Sequence, residues 1–456
     1  MNTCQICKNK EILVATLSDI RNVPLSGNIH IDALLNRGGL NWTAVTDIPY
    51  NTIRYSFSLA GDILPAAENI VSGTATGFTA LQQSATRGAL AYLSEITGIQ
   101  FLETGPAEAD VHFANASITT ERVVGSFNWR SQYWEDGAGT ITRYELDGVV
   151  YLDNAEYADY NSTLASGSEG YETLLHELGH MLGLKHPFED AIQLPTSLDS
   201  TSNTLMSYDS SGRFYSEYRP FDLAALGWLY GGDGIGGNFG IDAQGRMLVG
   251  TTSGDQLVGT TGMDLLAGLN GNDTIDGGAG LDYAAYLENR AGYRISRTDQ
   301  GFSVTGTEGT DVLRNIERMT FDNVDVALDI DGNGGAAYRL YQAAFNRVPD
   351  AVGLGYWISV LDDGVSLRDV AASFLASPEF AAIYQGSNPD NGTLVAGLYQ
   401  NILHRPPEQA GYEYWLDVLN KGGDRATVLR DFSEGFENRD ALASVIGNGF
   451  DYIPYA

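Results

Sequence analysis

The apolar positions of this chain change period repeatedly along its length. In IRYSFSL, Ile53, Tyr55, Phe57 and Leu59 alternate with polar residues, which predicts a strand with one buried face. Between Ala80 and Gly98 the spacing widens to the helical period, with Leu81, Ala85, Ala89, Leu93 and Ile96 as the core stripe and Gly98 as the stop. DVHFA (110–114) and GVVYLD (148–153) read as further strands, the second as the sheet edge to which an extended peptide can add. LLHELGHMLGL from Leu174 and DLAALGWLYG from Asp222 return to helical spacing, and the glycine-rich GDGIGGNFG, ending at Gly240, reads as a linker. The pattern predicts a polar leader over residues 1–25 and a mixed α+β domain over 26–232.

Beyond the linker the period lengthens. In nines from Gly250 the chain reads GTTSGDQLV, GTTGMDLLA, GLNGNDTID, GGAGLDYAA, with aspartate at 255, 264, 273 and 282 and Leu257, Leu266, Ile275 and Ala284 two places on. A flexible linker does not explain a fixed aspartate phase. The repeat resembles the calcium-binding nonapeptide of RTX proteins. The resemblance implies a parallel β-roll in which two nonamers make one turn, Asp255 stacks with Asp273, Asp264 stacks with Asp282, and calcium neutralises the carboxylates. Alternation in YRISR, FSVTG and IERMTF predicts β structure capping the roll, so that residues 233–327 form linker, roll and cap. In DIDGNGG, Asp329, Asp331, Asn333 and Gly334 match the start of an EF-hand loop, but Leu340 stands where its bidentate glutamate belongs, which weighs against calcium there.

Residues 328–456 carry a longer repeat. LYQAAFNRVPDAVGLGYWISVL recurs 58 residues later as LYQNILHRPPEQAGYEYWLDVL, aligning Tyr341 with Tyr399, Arg347 with Arg405, Trp357 with Trp415 and Glu379 with Glu437. This predicts two helical units interrupted at Pro349 and Pro406, with Tyr356-Trp357 and Tyr414-Trp415 read as core and not as sugar platforms. The region resembles a tandem helical domain of unknown function (DUF4214-like) that accompanies RTX repeats in exported bacterial proteins. The resemblance adds no activity, and a surface partner is the expectation for this end.

Charge narrows the partners. The 456 residues include 58 acidic and 26 basic side chains, a formal net charge of -32, which argues against nucleic acid and anionic membrane surfaces. The only two cysteines, Cys4 and Cys7, supply no disulfide framework. The apolar run Ile12 to Leu17 is too short for a secretory signal, and nothing approaches a membrane span, so export is expected to proceed without a cleaved N-terminal signal.

Three of the six histidines, His176, His180 and His186, fall within eleven residues. On a helix, His176 and His180 project from one face about 5–6 Å apart. Continued helix would carry His186 roughly 9 Å past His180, so Gly183 must end the helix and turn the chain back. Three imidazoles without a fourth protein ligand mark a catalytic zinc, and Glu177 is placed to act as general base. An amphipathic helix with satisfied histidines does not explain five fixed positions. The pattern His-Glu-x-x-His-x-x-Gly-x-x-His resembles the metzincin metalloproteases, and Met206 in TLMSYD resembles the Met-turn of the serralysin branch. That resemblance implies a zinc site floored by Met206, with Gly183 and Met206 outside the ligand set, and Tyr208 as a resting zinc ligand that swings to bond the oxyanion. The chain as a whole is expected to be multidomain: an α+β metzincin domain, a parallel β-roll and an all-α end. The implied protein is a secreted, calcium-folded zinc endopeptidase acting on proteins and peptides and exported by a type I ABC apparatus. The rival is a cell-surface or matrix calcium-binding protein with a vestigial protease domain, against which intact Glu177 counts.

Overall fold

The computed structural model describes residues 16–455 except 39, 47–50, 60–70, 242, 385 and 387. Most of the leader, with Cys4 and Cys7, lies outside the described residues. The chain forms two compact units, one of residues 1–251 with 259–265, the other of 252–258 with 266–456.

The first unit runs α1 (Leu17–Arg21), α2 (Ile29–Asp32), β1 (Thr52–Ser56), β2 (Val71–Gly77), α3 (Ala80–Thr97), β3 (Gln100–Glu103), β4 (Val111–Ile118), β5 (Gly125–Glu135), β6 (Ile141–Asp153), α4 (Ala158–Asn161), α5 (Glu169–Met181), α6 (Pro220–Tyr230) and β7 (Met247–Val249). Its main sheet has the order β3-β1-β4-β6-β5, with β2 antiparallel to β4. The pairs β1/β3, β1/β4 and β4/β6 are parallel and β5/β6 is antiparallel. Gly148–Asp153 is therefore interior and not an edge: on that side of the sheet the last strand among the described residues is β5. Val149 to Asp153 are buried without alternation, the mark of a strand covered on both faces.

Helix α3 begins at a reciprocal cap between Thr79 and Gln82 and stops at Gly98, whose φ of 74° only glycine adopts freely. Its buried stripe is Gln82, Thr86, Ala89, Leu90, Leu93 and Thr97, whereas the expected Leu81 is 61% exposed. The stripe includes polar residues because they are paired: Gln82 Nε2 donates to Asn115 Oδ1 at 2.8 Å and to Asn161 O at 3.0 Å, and Thr86 Oγ1 donates to Gln82 O at 2.8 Å. The glycine-rich stretch after α6 is packed and not free: Ile235 is buried and its amide donates to Asn51 Oδ1 at 2.8 Å.

From Gln256 on come strands of three residues, β8 (Gln256–Val258), β9 (Leu265–Ala267), β10 (Thr274–Asp276) and β11 (Tyr283–Ala285), of which all but Leu265 of β9 belong to the second unit. Then come β12 (Arg294–Thr298), β13 (Gly301–Gly306), β14 (Gly309–Arg314), β15 (Arg318–Thr320) and β16 (Asp325–Ala327). β8, β10 and β14 pair in parallel, setting Leu257, Ile275 and Leu313 side by side, all fully buried. β11 and β15 pair in parallel, setting Ala284 beside Met319. Two strands of the expected cap thus prolong the parallel stacks, while β12, β13 and β16 close them with antiparallel pairing. The nine-residue phase is interrupted by the β12-β13 hairpin, and the pattern of an aspartate with an apolar residue two places on recurs, out of that phase, at Asp311 and Leu313.

The helices are α7 (Asn333–Phe345), α8 (Ala351–Asp362), α9 (Leu367–Leu375), α10 (Pro378–Ile383), α11 (Asn391–Ile402), α12 (Gln409–Asn420), α13 (Arg425–Ser433) and α14 (Phe436–Ile446), followed by β17 (Phe450–Tyr452) on β16. α8 and α9 recur as α12 and α13 with both ends 58 residues on. Arg347 pairs with Glu379 at 2.7 Å over the Tyr341 ring, and Arg405 pairs with Glu437 at 2.6 Å over the Tyr399 ring. Trp357 and Trp415 pack edge-on or tilted against Phe374 and Phe432, as core residues do, but Tyr356 and Tyr414 are exposed, contrary to the core reading.

In the DIDGNGG loop the cation is an arginine. Arg318, fully buried, donates to Asp329, to Glu317 O at 3.0 Å and to Asp362 Oδ2 at 3.0 Å, while the Gly334 amide donates to Asp329 Oδ2 at 2.8 Å.

Candidate metal centre

Helix α5 starts at Ser168, whose side chain accepts from the Tyr171 amide, and ends before Gly183, where φ is 96°. The Leu184 amide returns to Gly179 O at 2.9 Å, and the strand-like segment Leu34–Asn36 backs the turn through Lys185 N to Leu34 O at 2.8 Å and Asn36 N to Gly183 O at 2.9 Å. His186 is thereby brought back beside the helix. Its Nε2 lies 3.1 Å from Nε2 of His176 and 3.1 Å from Nε2 of His180.

Each remaining ring nitrogen is engaged. His176 Nδ1 is 2.7 Å from Leu205 O, His180 Nδ1 is 2.9 Å from Leu184 O, and His186 Nδ1 is 2.7 Å from a Glu189 carboxylate oxygen. Acceptors at all three Nδ1 atoms place the protons there and leave three Nε2 lone pairs converging. Burial holds the His180 imidazole down at about 4 and His176 well below its ordinary value, so both are neutral donors at neutral pH. Lone pairs facing one another at 3.1 Å repel unless a cation lies among them. Nitrogens bound tetrahedrally at about 2.0–2.1 Å stand about 3.3 Å apart, so the donor set fits zinc.

Glu177, 4% exposed, lies beneath β5, and burial raises its carboxyl to about 8 against a hydrogen bond from the Phe127 backbone. Gly125 of β5 makes room for it: a Cβ there would stand 2.9 Å from Glu177 Cγ and 2.8 Å from Thr173 Cγ2. Met206 is fully buried, and a Cβ at Gly179 would meet its sulfur at 2.7 Å, which explains a glycine in mid-helix between two histidines. The turn carrying Met206 is anchored by Asp222 of α6. This buried carboxylate, raised to about 6 by desolvation, accepts from Thr204 Oγ1 at 2.6 Å, the Leu205 amide at 2.8 Å and the Arg219 amide at 2.9 Å. Tyr208 is mostly exposed, with its ring centroid 4.6 Å from that of His186 and 5.9 Å from that of His176. Desolvation, then Glu177 and Glu189, push its phenol up to about 12, so it remains a hydrogen-bond donor at neutral pH.

Gly125, Glu189 and Asp222 lie outside the recognised motifs. A glycine inside a strand is the usual signal of close approach and was available for Gly125. Nothing in the spacing distinguishes Glu189 or Asp222 from other acidic residues.

In the second unit the aspartates cap backbone amides one turn away. Asp273 Oδ1 accepts from the Asp255 amide at 2.8 Å, and Asp311 Oδ1 accepts from the Asp273 amide at 2.9 Å. Glu317 Oε2 accepts from the Asp282 amide at 2.9 Å. In the first unit, Asp264 Oδ1 accepts from the Arg246 amide at 2.6 Å. Asp264, Asp273 and Asp282 are buried, and Asp273 Oδ2 has no hydrogen-bond partner among the described residues. Gly268 and Gly271 face that carboxylate closely enough that a Cβ would fall 2.4 Å from Oδ2 and 2.8 Å from Oδ1. An orphaned buried carboxylate oxygen in a glycine cradle fits a hard cation such as calcium.

Residues 69–213, which contain the three histidines, Glu177, Met206 and Tyr208, match the family described as Matrixin. Residues 337–384 and 371–442 match the domain of unknown function DUF4214. The chain is 29% identical over 195 residues to Serralysin of Proteus mirabilis, covering 36% of this chain and 39% of that protein. It is 35% identical over 101 residues to Metalloprotease AprA of Pseudomonas entomophila (strain L48), covering 18% of this chain and 21% of that protein. The matches thus span well under half the length of either relative. Among solved structures, the extracellular lipase LipA from Serratia marcescens aligns at 16% identity over 18% of this chain and 16% of that one, with a TM-score of 0.12, too slight a likeness to carry an argument.

Proposed function

We propose that this chain, which carries a serralysin-like metzincin domain, is a zinc-dependent endopeptidase that acts outside the cell and completes its fold on calcium. The observation that carries the reading is the convergence of the Nε2 atoms of His176, His180 and His186, with the buried carboxylate of Glu177 next to His176 in the chain. His176, His180 and His186 would hold zinc. Bound there, zinc supplies Lewis-acid polarisation of a carbonyl and a lowered pKa for water.

The chain's own residues do the rest. Glu177, buried next in the chain to His176, would act as the base that takes a proton from the attacking water and returns it to the leaving amine. Tyr208 keeps its phenolic proton and can donate to an oxyanion. Among the described residues β5 pairs only with β6, so its other edge would offer backbone groups to an extended peptide above Glu177, and binding and proton transfer would share one strand.

Calcium would be held by Asp273 and its stacked neighbours, making the short parallel strands of the second unit a β-roll. Among the described residues no helix is long and apolar enough to cross a membrane. An acidic chain with no disulfide framework that folds on external calcium suits export by a type I ABC apparatus. Casein zymography with and without a zinc chelator tests the activity, and Glu177→Gln tests the base. Zinc retained at wild-type stoichiometry with proteolysis lowered by several orders of magnitude is the expected outcome. Wild-type turnover by Glu177→Gln would remove Glu177 from the chemistry.

A further inference from the structure

The three imidazoles are aimed by different means. His176 and His180 are held by backbone carbonyls that the fold fixes: Leu205 O on the turn anchored by Asp222, and Leu184 O at the end of α5. For His186 the structure gives a side chain instead, Glu189 Oε1 at 2.7 Å, three residues on and 47% exposed. The backbone beneath is clamped separately. Lys185, 5% exposed, directs its ammonium to the carbonyls of Glu189 at 2.7 Å, Ile192 at 3.1 Å and His186 at 3.3 Å. Lys185 thus fixes the loop, and the Glu189 carboxylate has the His186 ring to orient. Phe188 lies within 3° of parallel to that ring at 5.2 Å, limiting its tilt but not choosing its tautomer.

We infer that Glu189 is the positioning residue for the third metal ligand, fixing the Nδ1–H tautomer of His186 so that Nε2 presents its lone pair to the site. This rests on the zinc reading of the three histidines. A carboxylate on the far nitrogen also makes the imidazole a stronger donor, and losing such a partner lowers metal affinity by about 10–100-fold in comparable sites. The side chain touches no reacting atom, so its effect is on holding the metal and the ring.

Zinc affinity of the full chain, measured by competition with a chromophoric chelator, distinguishes reach from charge. Glu189→Gln keeps an acceptor at the same reach and should stay within about tenfold of wild type, whereas Glu189→Ala should lose about 10–100-fold. Glu189→Asp keeps the charge but withdraws the acceptor by one methylene, and should resemble Glu189→Ala. Histidine nitrogen NMR of the metal-free protein gives a second readout. His186 should be protonated at Nδ1 in wild type and Glu189→Gln, and shift toward Nε2–H in Glu189→Asp and Glu189→Ala. If Glu189→Ala does not fold, the contrast between Gln and Asp decides. Tight wild-type zinc binding with Gln and Asp variants of equal affinity and unchanged tautomer overturns the inference alone. Failure of the wild-type protein to bind zinc overturns the reading beneath it.

Discussion

Replacing Asp273 with asparagine should stabilise the calcium-free roll at neutral pH and abolish its response to calcium. Asparagine keeps the oxygen that accepts from the Asp255 amide and removes the charge that Asp311, Asp255 and Glu308 oppose. Desolvation first, and those carboxylates second, raise the Asp273 carboxyl from 3.8 to about 6. Two pKa units correspond to about 3 kcal/mol, reduced to roughly 1–2 kcal/mol by solvent screening. A carboxyl whose folded pKa is raised binds its proton more tightly in the folded state. In chelator the wild-type roll should therefore lose this stability as pH rises from about 4 to about 6, and the loss should be complete by pH 7. Calcium at a hundred times its dissociation constant would restore about 2.7 kcal/mol in the wild type and little in the variant. Hydrogen exchange of the full chain, read by mass spectrometry on peptides spanning 253–285 at pH 5 and 7 with and without calcium, measures both effects locally. The difference between wild type and Asp273→Asn isolates this carboxyl from the chain's other acids. Identical pH dependence and identical calcium protection in the two proteins would refute the reasoning.

Tyr208→Phe removes one oxyanion donor and should lower kcat by roughly 10²–10³ with zinc content unchanged, so an unaffected kcat would exclude the tyrosine. Gly125→Ala pushes a methyl group against Glu177 and Thr173 and should depress kcat more than KM; a crystal structure with Glu177 undisplaced and normal turnover would show that the contact relaxes harmlessly. Asp222→Ala leaves Thr204 and the Leu205 and Arg219 amides without their acceptor, and should lower stability by about 1–3 kcal/mol in denaturant titration and weaken zinc binding through Leu205 and His176, whereas unchanged values for both would detach α6 from the site.

Much of the metal centre could be read from the chain because its determinants are local. His176 and His180 share one helix face, and the turn at Gly183 returns His186 to them, so a single short segment brings the three rings together. The strand at 148–153 was recognisable as a strand, but its place in the sheet depends on β5 and β4, whose pairing no local pattern states; the unbroken run of apolar residues was the signal that it lay inside. The α3 stripe holds at Ala89 and Leu93 but is one position early at Leu81 and Ala85, because Gln82 and Thr86 are buried with partners on β4 and on the helix itself, and hydropathy treats them as surface. Asp311 escaped notice because a hairpin of some twenty residues separates it from the repeat it continues. The 58-residue duplication announced two like helical units, and α8 and α9 do recur as α12 and α13, yet hydrophobicity alone did not say that Tyr356 and Tyr414 face solvent while the adjacent tryptophans pack inward.

Arg318 gives the DIDGNGG loop a cation tethered to its own chain, present at the same effective concentration in every medium. The junction between β15, the loop and α8 can therefore assemble wherever the polypeptide finds itself, regardless of dissolved ions. If the aspartate stacks await a metal from solution, the same unit contains one part that carries its own cation and another that its surroundings must complete, and the order of their folding is set by where each obtains its positive charge.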